Sequence, residues 1–247
     1  MHQLKDFADD RLLGGCIYCG GAFETRDHVP SRVLLDRPFP ENLPVVGACT
    51  KCNNGFSADE EYLACLLGAV LSGSTDPDKV RRHVVANILR RSDGLRAQLQ
   101  AALHVSEGQV NFSIEVDRVK NVLLKLARGH AAYELSTLCR GEPNTLHWGT
   151  LASMTPDQLE EFENVPVTHL FPEVGSRAMQ RMLVTQLTLA APDGSTKLVE
   201  FIVADWVEVQ EGRYRYLPHH GQQRLSVKIV IDEFLYCEAN WLGEANH

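Results

Sequence analysis

No apolar run in this sequence approaches the ~20 residues needed to cross a bilayer, so no membrane partner is expected. The opening stretch MHQLKDFADDRLLGG lacks a basic segment followed by an apolar one, and no secretory leader is read there. Internal repeats and low-complexity tracts are absent. Basic residues are scarce relative to acidic ones: 24 Lys and Arg face 32 Asp and Glu, a formal charge of -8. That balance disfavours a grip on a polyanion through the whole surface. The cysteines number seven, an odd count that argues against a disulfide framework and for a reducing, cytoplasmic setting.

What is present is unevenly distributed. Residues 1–60 hold six Lys and Arg against nine Asp and Glu, residues 75–130 ten against six, and residues 141–247 seven against fifteen. The middle segment is therefore the expected source of any charge-based hold on a phosphate backbone. With 247 residues, 44% of them hydrophobic, the chain can bury one large core or two modest ones.

Residues 14–56 are rich in Gly, Pro and Asn, which predicts a small, loop-rich module in need of a staple. Ser57-Ala58-Asp59-Glu60 reads as a capping box opening a buried helix. Residues 78–104 read as one or two helices, interrupted at Ser92-Asp93-Gly94, and residues 109–115 alternate as a strand. Residues 117–138 predict a helix with Val119, Val122, Leu123, Leu126 and Ala127 on one face. Thr155 caps a further helix with Pro156 at its first position. From residue 182 the pattern turns β, with strands predicted over 183–190, 197–209, 214–217 and 226–241, an antiparallel meander packed against the long helix. The expected class is α+β, with a zinc-stapled module at 1–60, a helical region at 61–140 and an acidic, antiparallel β-rich domain at 141–247.

Cys16-Ile17-Tyr18-Cys19 and Cys49-Thr50-Lys51-Cys52 are two C-x2-C pairs. Two intervening residues let a tight turn aim both sulfurs at one ion, and two such pairs complete the four-thiolate tetrahedron that zinc favours. A single pair could serve redox chemistry; two pairs in a reducing setting point to a structural Zn²⁺. Four thiolates leave that ion no open position, so it would be a staple and not a catalyst.

Between and beside these pairs lie Asp27-His28-Val29-Pro30, Asn42-Leu43 and, directly after Cys52, Asn53. The pattern C-x-x-C, D-H-x-P, N-L, C-x-x-C-N resembles the HNH endonucleases, specifically those whose treble-clef-like ββα-metal motif surrounds a four-cysteine zinc. It covers only about forty residues. The resemblance implies that His28 is the general base activating water, and that Asp27 and Asn53 hold one Mg²⁺-type cation. It also implies that Asn42 ties down the loop and orients His28. Adjacent residues of a strand face opposite ways, so Asp27 and His28 can converge only where the strand ends, and Pro30 fits such an ending. Asn53 can equally serve as a helix N-cap, and Asn42 as an ordinary loop residue.

Arg26, Arg32 and Lys51 flank this constellation and are the expected phosphate contacts. Arg81, Arg82, Arg90 and Arg91 spread around a helix that is either solvated or phosphate-contacting. Asp59-Glu60-Glu61 and the segment Lys125-Leu126-Ala127-Arg128-Gly129 resemble stretches of one bacterial subset of the same family, the second without an assignable role. In place of the Gly-rich loop many members carry stands Arg37-Pro38-Phe39-Pro40. The expected activity is metal-dependent hydrolysis of nucleic acid, with DNA the expected polymer. Two alternatives stay open. One is a zinc-dependent module that binds nucleic acid or protein without cutting. The other is a nuclease gated by a ligand or partner through residues 141–247, working with an activator or as a homo-oligomer.

Overall fold

The computed structural model describes residues 14–106, 109–165, 167–168, 177–180, 183–203, 205–221 and 224–242. The first thirteen residues of the expected N-terminal module, and Met182 at the start of the β pattern, lie outside that set. The architecture is mixed α and β.

Strands β1 (Thr25–His28) and β2 (Val45–Ala48) form an antiparallel hairpin in which His28 pairs with Val45 and Asp27 with Val46. Helix α1 (Thr50–Ser72) follows at once. Its N-cap is Cys49, whose sulfur accepts the backbone N–H of Cys52. The capping box expected at Ser57 is absent: the helix already has its cap at Cys49, eight residues earlier, and Ser57 Oγ instead donates to the carbonyl of Asn53. Gly73 closes α1 in the left-handed conformation, φ 61°, with its N–H shared between the carbonyls of Ala69 and Val70.

Helices α2 (His83–Arg91) and α3 (Asp93–Ala102) meet at Ser92, and strands β3 (Leu103–Ser106) and β4 (Gln109–Phe112) form a second hairpin. Arg81 and Arg82 precede α2 instead of riding on it. Arg82 is 5% exposed, with its guanidinium on the carboxylate of Asp36 and the carbonyls of Val33 and Leu35. It belongs to the fold and not to a solvated face.

Helix α4 (Val116–Leu135) buries more than the one face expected of it. Val119, Val122, Leu123, Leu126 and Ala127 are in the core, and so are Lys125, Gly129, His130 and Glu134. The helix is covered on both sides, packing on α1 and β2 and also on strands near the C-terminus.

Those strands belong to a sheet whose first member in the chain, β5 (Thr145–Thr150), precedes helix α5 (Pro156–Glu163). Thr155 caps α5 with a complete capping box. Strand β6 (Val167–Thr168), helix α6 (Arg177–Gln180), β7 (Leu183–Ala190) and β8 (Thr196–Val203) come next, followed by β9 (Val207–Gln210), β10 (Tyr214–His220), β11 (Arg224–Ile231) and β12 (Leu235–Leu242). The expected single meander is two sheets. A five-stranded antiparallel sheet has the order β5-β12-β11-β10-β9, and a separate three-stranded one the order β6-β8-β7. The strand expected over 226–241 is a hairpin, reversed at Asp232 and Glu233, both at positive φ.

Inward residues of the larger sheet, Tyr214, Tyr216, Val227, Ile229 and Cys237, pack on α4 in a core that also contains Leu34, Leu63 and Leu123. The His130 ring stacks on Tyr216 with centroids 3.6 Å apart, and its Nε2 lies 2.7 Å from the Tyr214 hydroxyl. Glu134 accepts from the Tyr216 hydroxyl. These polar contacts fix the rotation and depth of α4 on the sheet, which apolar packing alone specifies less sharply.

Candidate functional site

Two clusters flank the β1–β2 hairpin. In the first, one sulfur from each of Cys16, Cys19, Cys49 and Cys52 lies within 4.8 Å of every other. Cys19 and Cys49 sulfurs stand 3.7 Å apart, close to the edge of about 3.8 Å for a tetrahedron with zinc–sulfur bonds of about 2.3 Å. The backbone N–H of Gly21 points at Cys19 Sγ and that of Cys52 at Cys49 Sγ, each at 3.4 Å, the amide support that metal-bound thiolates use. Burial opposes ionisation of Cys16, but the amides of Cys49, Cys19 and Tyr18 outweigh it and bring its pKa down to about 7. Burial and the neighbouring sulfurs push Cys52 well up. Four converging sulfurs, with backbone N–H groups aimed at two of them, are a donor set that fits a metal such as zinc. Cys65, Cys139 and Cys237 are buried elsewhere and belong to the core.

The second cluster lies at the other end of β1. A cleft of about 350 Å³ is lined by Arg26, Asp27, His28, Arg32, Asn53 and Glu60, among others. The local sequence explains how they meet. β1 ends at His28, Pro30 follows, and the imidazole and the Asp27 carboxylate reach a common space where the strand stops. Asn53, in the first turns of α1, donates its amide N–H to Thr25 Oγ1 at 3.1 Å and to the carbonyl of Arg26 at 3.4 Å. Its amide nitrogen is pinned to β1, and Oδ1 is the acceptor left over. Cys49 holds the N-cap role, so Asn53 is not spent as a cap.

His28 is half-buried. Burial, the largest cause, and then the Arg32 and Lys125 charges hold its pKa below the usual imidazole value, while Asp27 opposes them. The ring is therefore neutral near pH 7, able to accept a proton.

Asp27 is 5% exposed, and its inner side is fully engaged. Tyr18 donates to Oδ2 at 2.8 Å, and Lys125 Nζ lies 3.0 Å from both carboxylate oxygens. Burial and the Asp27 charge raise the Tyr18 phenol well above its ordinary range, which keeps it a donor. Lys125 also contacts Glu60, which accepts from Ser31 Oγ at 3.0 Å. Phe56 closes the group, edge-on to Tyr18 and under the Lys125 ammonium. Two carboxylates face one ammonium here, at 5%, 7% and 1% exposure, so the cluster carries a formal negative charge beside the cleft. Asn53 Oδ1 and the Asp27 carboxylate are the oxygen donors offered to the cleft, which the Arg26 and Arg32 guanidiniums also line. Among the described residues, His, Cys, Asp and Glu atoms converge within 4.8 Å only at the four cysteines.

Of the expected phosphate contacts, Arg26 and Arg32 line the cleft, whereas Lys51 is exposed on the first turn of α1 and outside its lining. Asn42 sits exposed in the turn before β2, also outside the lining. Lys125 and Gly129 acquire roles the sequence did not reveal. A Cβ on Gly129 would fall 2.6 Å from Val29 Cγ2, so the bare backbone of α4 is what lets the residue after His28 settle against it. Glu61 also lines the cleft and pairs with Arg91.

No protein-family model, no curated protein and no solved structure matches this chain.

Proposed function

We propose that this protein is a metal-dependent endonuclease of the HNH type, hydrolysing phosphodiester bonds of nucleic acid, DNA foremost, at the His28 cleft. The observation that carries the reading is the joint placement of His28, Asp27 and Asn53 in one cleft, at the end of a hairpin whose other end meets a four-cysteine cluster. Zinc in that cluster would hold hairpin and α1 together.

Within the cleft, neutral His28 accepts a proton from the attacking water, which leaves a hydroxide directed at phosphorus. Asp27 and Asn53 would hold a Mg²⁺-type cation, whose chemistry is to offset the negative charge that builds on the phosphoryl and leaving oxygens. Arg26 and Arg32 hold the flanking phosphates and keep the scissile bond in reach of His28. Tyr18 and Lys125 fix the Asp27 carboxylate from behind, so that it does not reorient when the substrate arrives.

A magnesium-dependent plasmid-cleavage assay tests the reading. Wild type is expected to nick or linearise the plasmid; His28→Ala is expected to be inactive while remaining folded and zinc-loaded. Equal activity of the two proteins would overturn the assignment of His28. A binding module that does not cut remains the competing account, and it predicts no metal-dependent cleavage by either. The gated form of the enzyme is favoured by one contact: Lys125, the partner of Asp27, rides on the helix that also packs against the C-terminal sheet. In that case cleavage would rise when a ligand or activating partner engages the sheet.

A further inference from the structure

Beyond Arg32 and Val33 the His28 cleft opens into a second groove of about 630 Å³, with Glu61 also shared between the two. Its floor is apolar: Val33, Val84, Ile88 and the Phe39 ring. Its rim is cationic, with Arg32, Arg37 and Arg91 against a single carboxylate, Glu61, which Arg91 engages. Arg32 and Arg37 form no ion pair among the described residues, and Arg37 lies over the Phe39 ring, 5.4 Å from its centroid.

This combination has a specific chemical meaning. A duplex backbone presents phosphates and sugars and has no use for an apolar floor. An unpaired nucleotide presents both a phosphate and a flat apolar face, and aromatic rings bordered by guanidinium groups hold such faces by stacking. The loop that supplies the ring, Arg37-Pro38-Phe39-Pro40, has a proline on either side of Phe39, which restricts the backbone and presents the aromatic with little conformational freedom left to lose.

We infer that this groove is a single-strand subsite, in which an unpaired nucleotide flanking the scissile phosphate stacks on Phe39 while Arg32 and Arg37 hold its phosphates. The inference rests on the nuclease reading for its substrate class and adds a preference: strands unpaired next to the cut are bound over continuous duplex.

The test uses the full-length, zinc-loaded protein without divalent magnesium, so that binding is read apart from cutting. Fluorescence anisotropy follows a labelled single strand of about twelve nucleotides, within the span such grooves cover, and the matching duplex. Wild type is expected to bind the single strand more tightly. Phe39→Ala should weaken single-strand binding roughly ten-fold and leave duplex binding unchanged, and Phe39→Trp should restore it. Arg37→Gln should lower the salt dependence of single-strand binding by about 0.7 in the log–log slope, one phosphate's worth. Phe39→Ala that binds the single strand as wild type does, or that loses duplex binding to the same degree, overturns the subsite. So does a wild type that binds neither oligonucleotide. Plasmid cleavage run in parallel separates the two claims. Cutting retained with an indifferent Phe39 sinks the subsite alone, and selective strand binding without any cutting sinks the nuclease reading alone.

Discussion

Lys125 Nζ lies 3.0 Å from the carboxylate of Asp27, a residue 98 positions earlier in the chain, and both are almost fully withdrawn from solvent. A buried ammonium between two carboxylates is costly to dismantle one member at a time, because removal of one charge leaves the others desolvated and unpaired. Lys125→Met should therefore destabilise the protein by about 3–5 kcal/mol in urea unfolding. Magnesium should stabilise the variant more than wild type, since a cation beside Asp27 would offset charge that the ammonium no longer balances. A variant that unfolds like wild type, with or without magnesium, would show that the cluster is not ionised as drawn.

Gly129 argues a second prediction. Its Cα faces Val29 so closely that an added methyl would sit 2.6 Å from Cγ2, well inside contact distance. Gly129→Ala is expected to cost about 1–3 kcal/mol through overpacking, and to lower cleavage because Val29 adjoins His28. Val29→Ala in the same chain should recover most of both losses. A double-mutant cycle measures this directly, and additive losses would mean that the two residues do not bear on each other.

The contrast between these residues and the cysteines shows what could be read from sequence. The paired C-x2-C spacing encodes its own geometry, and the Asp27-His28-Pro30 run encodes a strand ending, because these signals are local. Lys125 is tied to Asp27 only through the tertiary fold, so its partner could not be named. A signal was nonetheless present: Val122, Lys125, Leu126, Gly129 and His130 recur at helical spacing, which places the lysine on an otherwise buried stripe. The hairpin at Asp232-Glu233 was missed because neither residue is the Gly or Asn that ordinarily marks a turn at positive φ. Ser57 misled because a four-residue capping pattern inside a longer helix looks the same as one at its start.

The pH dependence of cleavage follows from the environment of His28. Its folded pKa is depressed, chiefly by burial and then by Arg32. A depressed imidazole pKa means the folded state binds fewer protons than the unfolded chain below neutrality. The ring's contribution to stability is therefore fully present above the ordinary imidazole pKa, and is lost as pH falls through the folded value. For catalysis the base is competent wherever it is neutral, so activity should hold as pH falls from 8 to the ordinary value of about 6.5 and drop only below it. A pH–rate profile whose acid limb lies clearly above 6.5 would contradict this placement of His28. Arg32→Gln, which removes one charge opposing protonation, should move the acid limb towards higher pH.

The four-cysteine cluster yields the last prediction. Cys49 contributes to three things at once: it is one of four converging sulfurs, its sulfur accepts the Cys52 N–H, and it is the N-cap of α1, the helix that delivers Asn53 and Glu60 to the cleft. Cys49→Ser keeps a capping oxygen but replaces a soft thiolate with a poor zinc ligand. Metal analysis should accordingly fall from one zinc per chain to none, while Cys65→Ser, altered at a buried thiol outside the cluster, should keep its zinc. Exhaustive chelation of wild type should reproduce the Cys49→Ser behaviour. Since structural zinc binding and folding are one equilibrium in such modules, both should expose the hairpin in hydrogen exchange and abolish magnesium-dependent cleavage together. Protection around α4 and the five-stranded sheet should persist longer, because the side chains that join them, among them His130, Tyr214, Tyr216 and Ile229, lie outside the hairpin and the four-cysteine cluster. Zinc retained in Cys49→Ser, or cleavage surviving its removal, would separate the cluster from the cleft and deny it the role of staple.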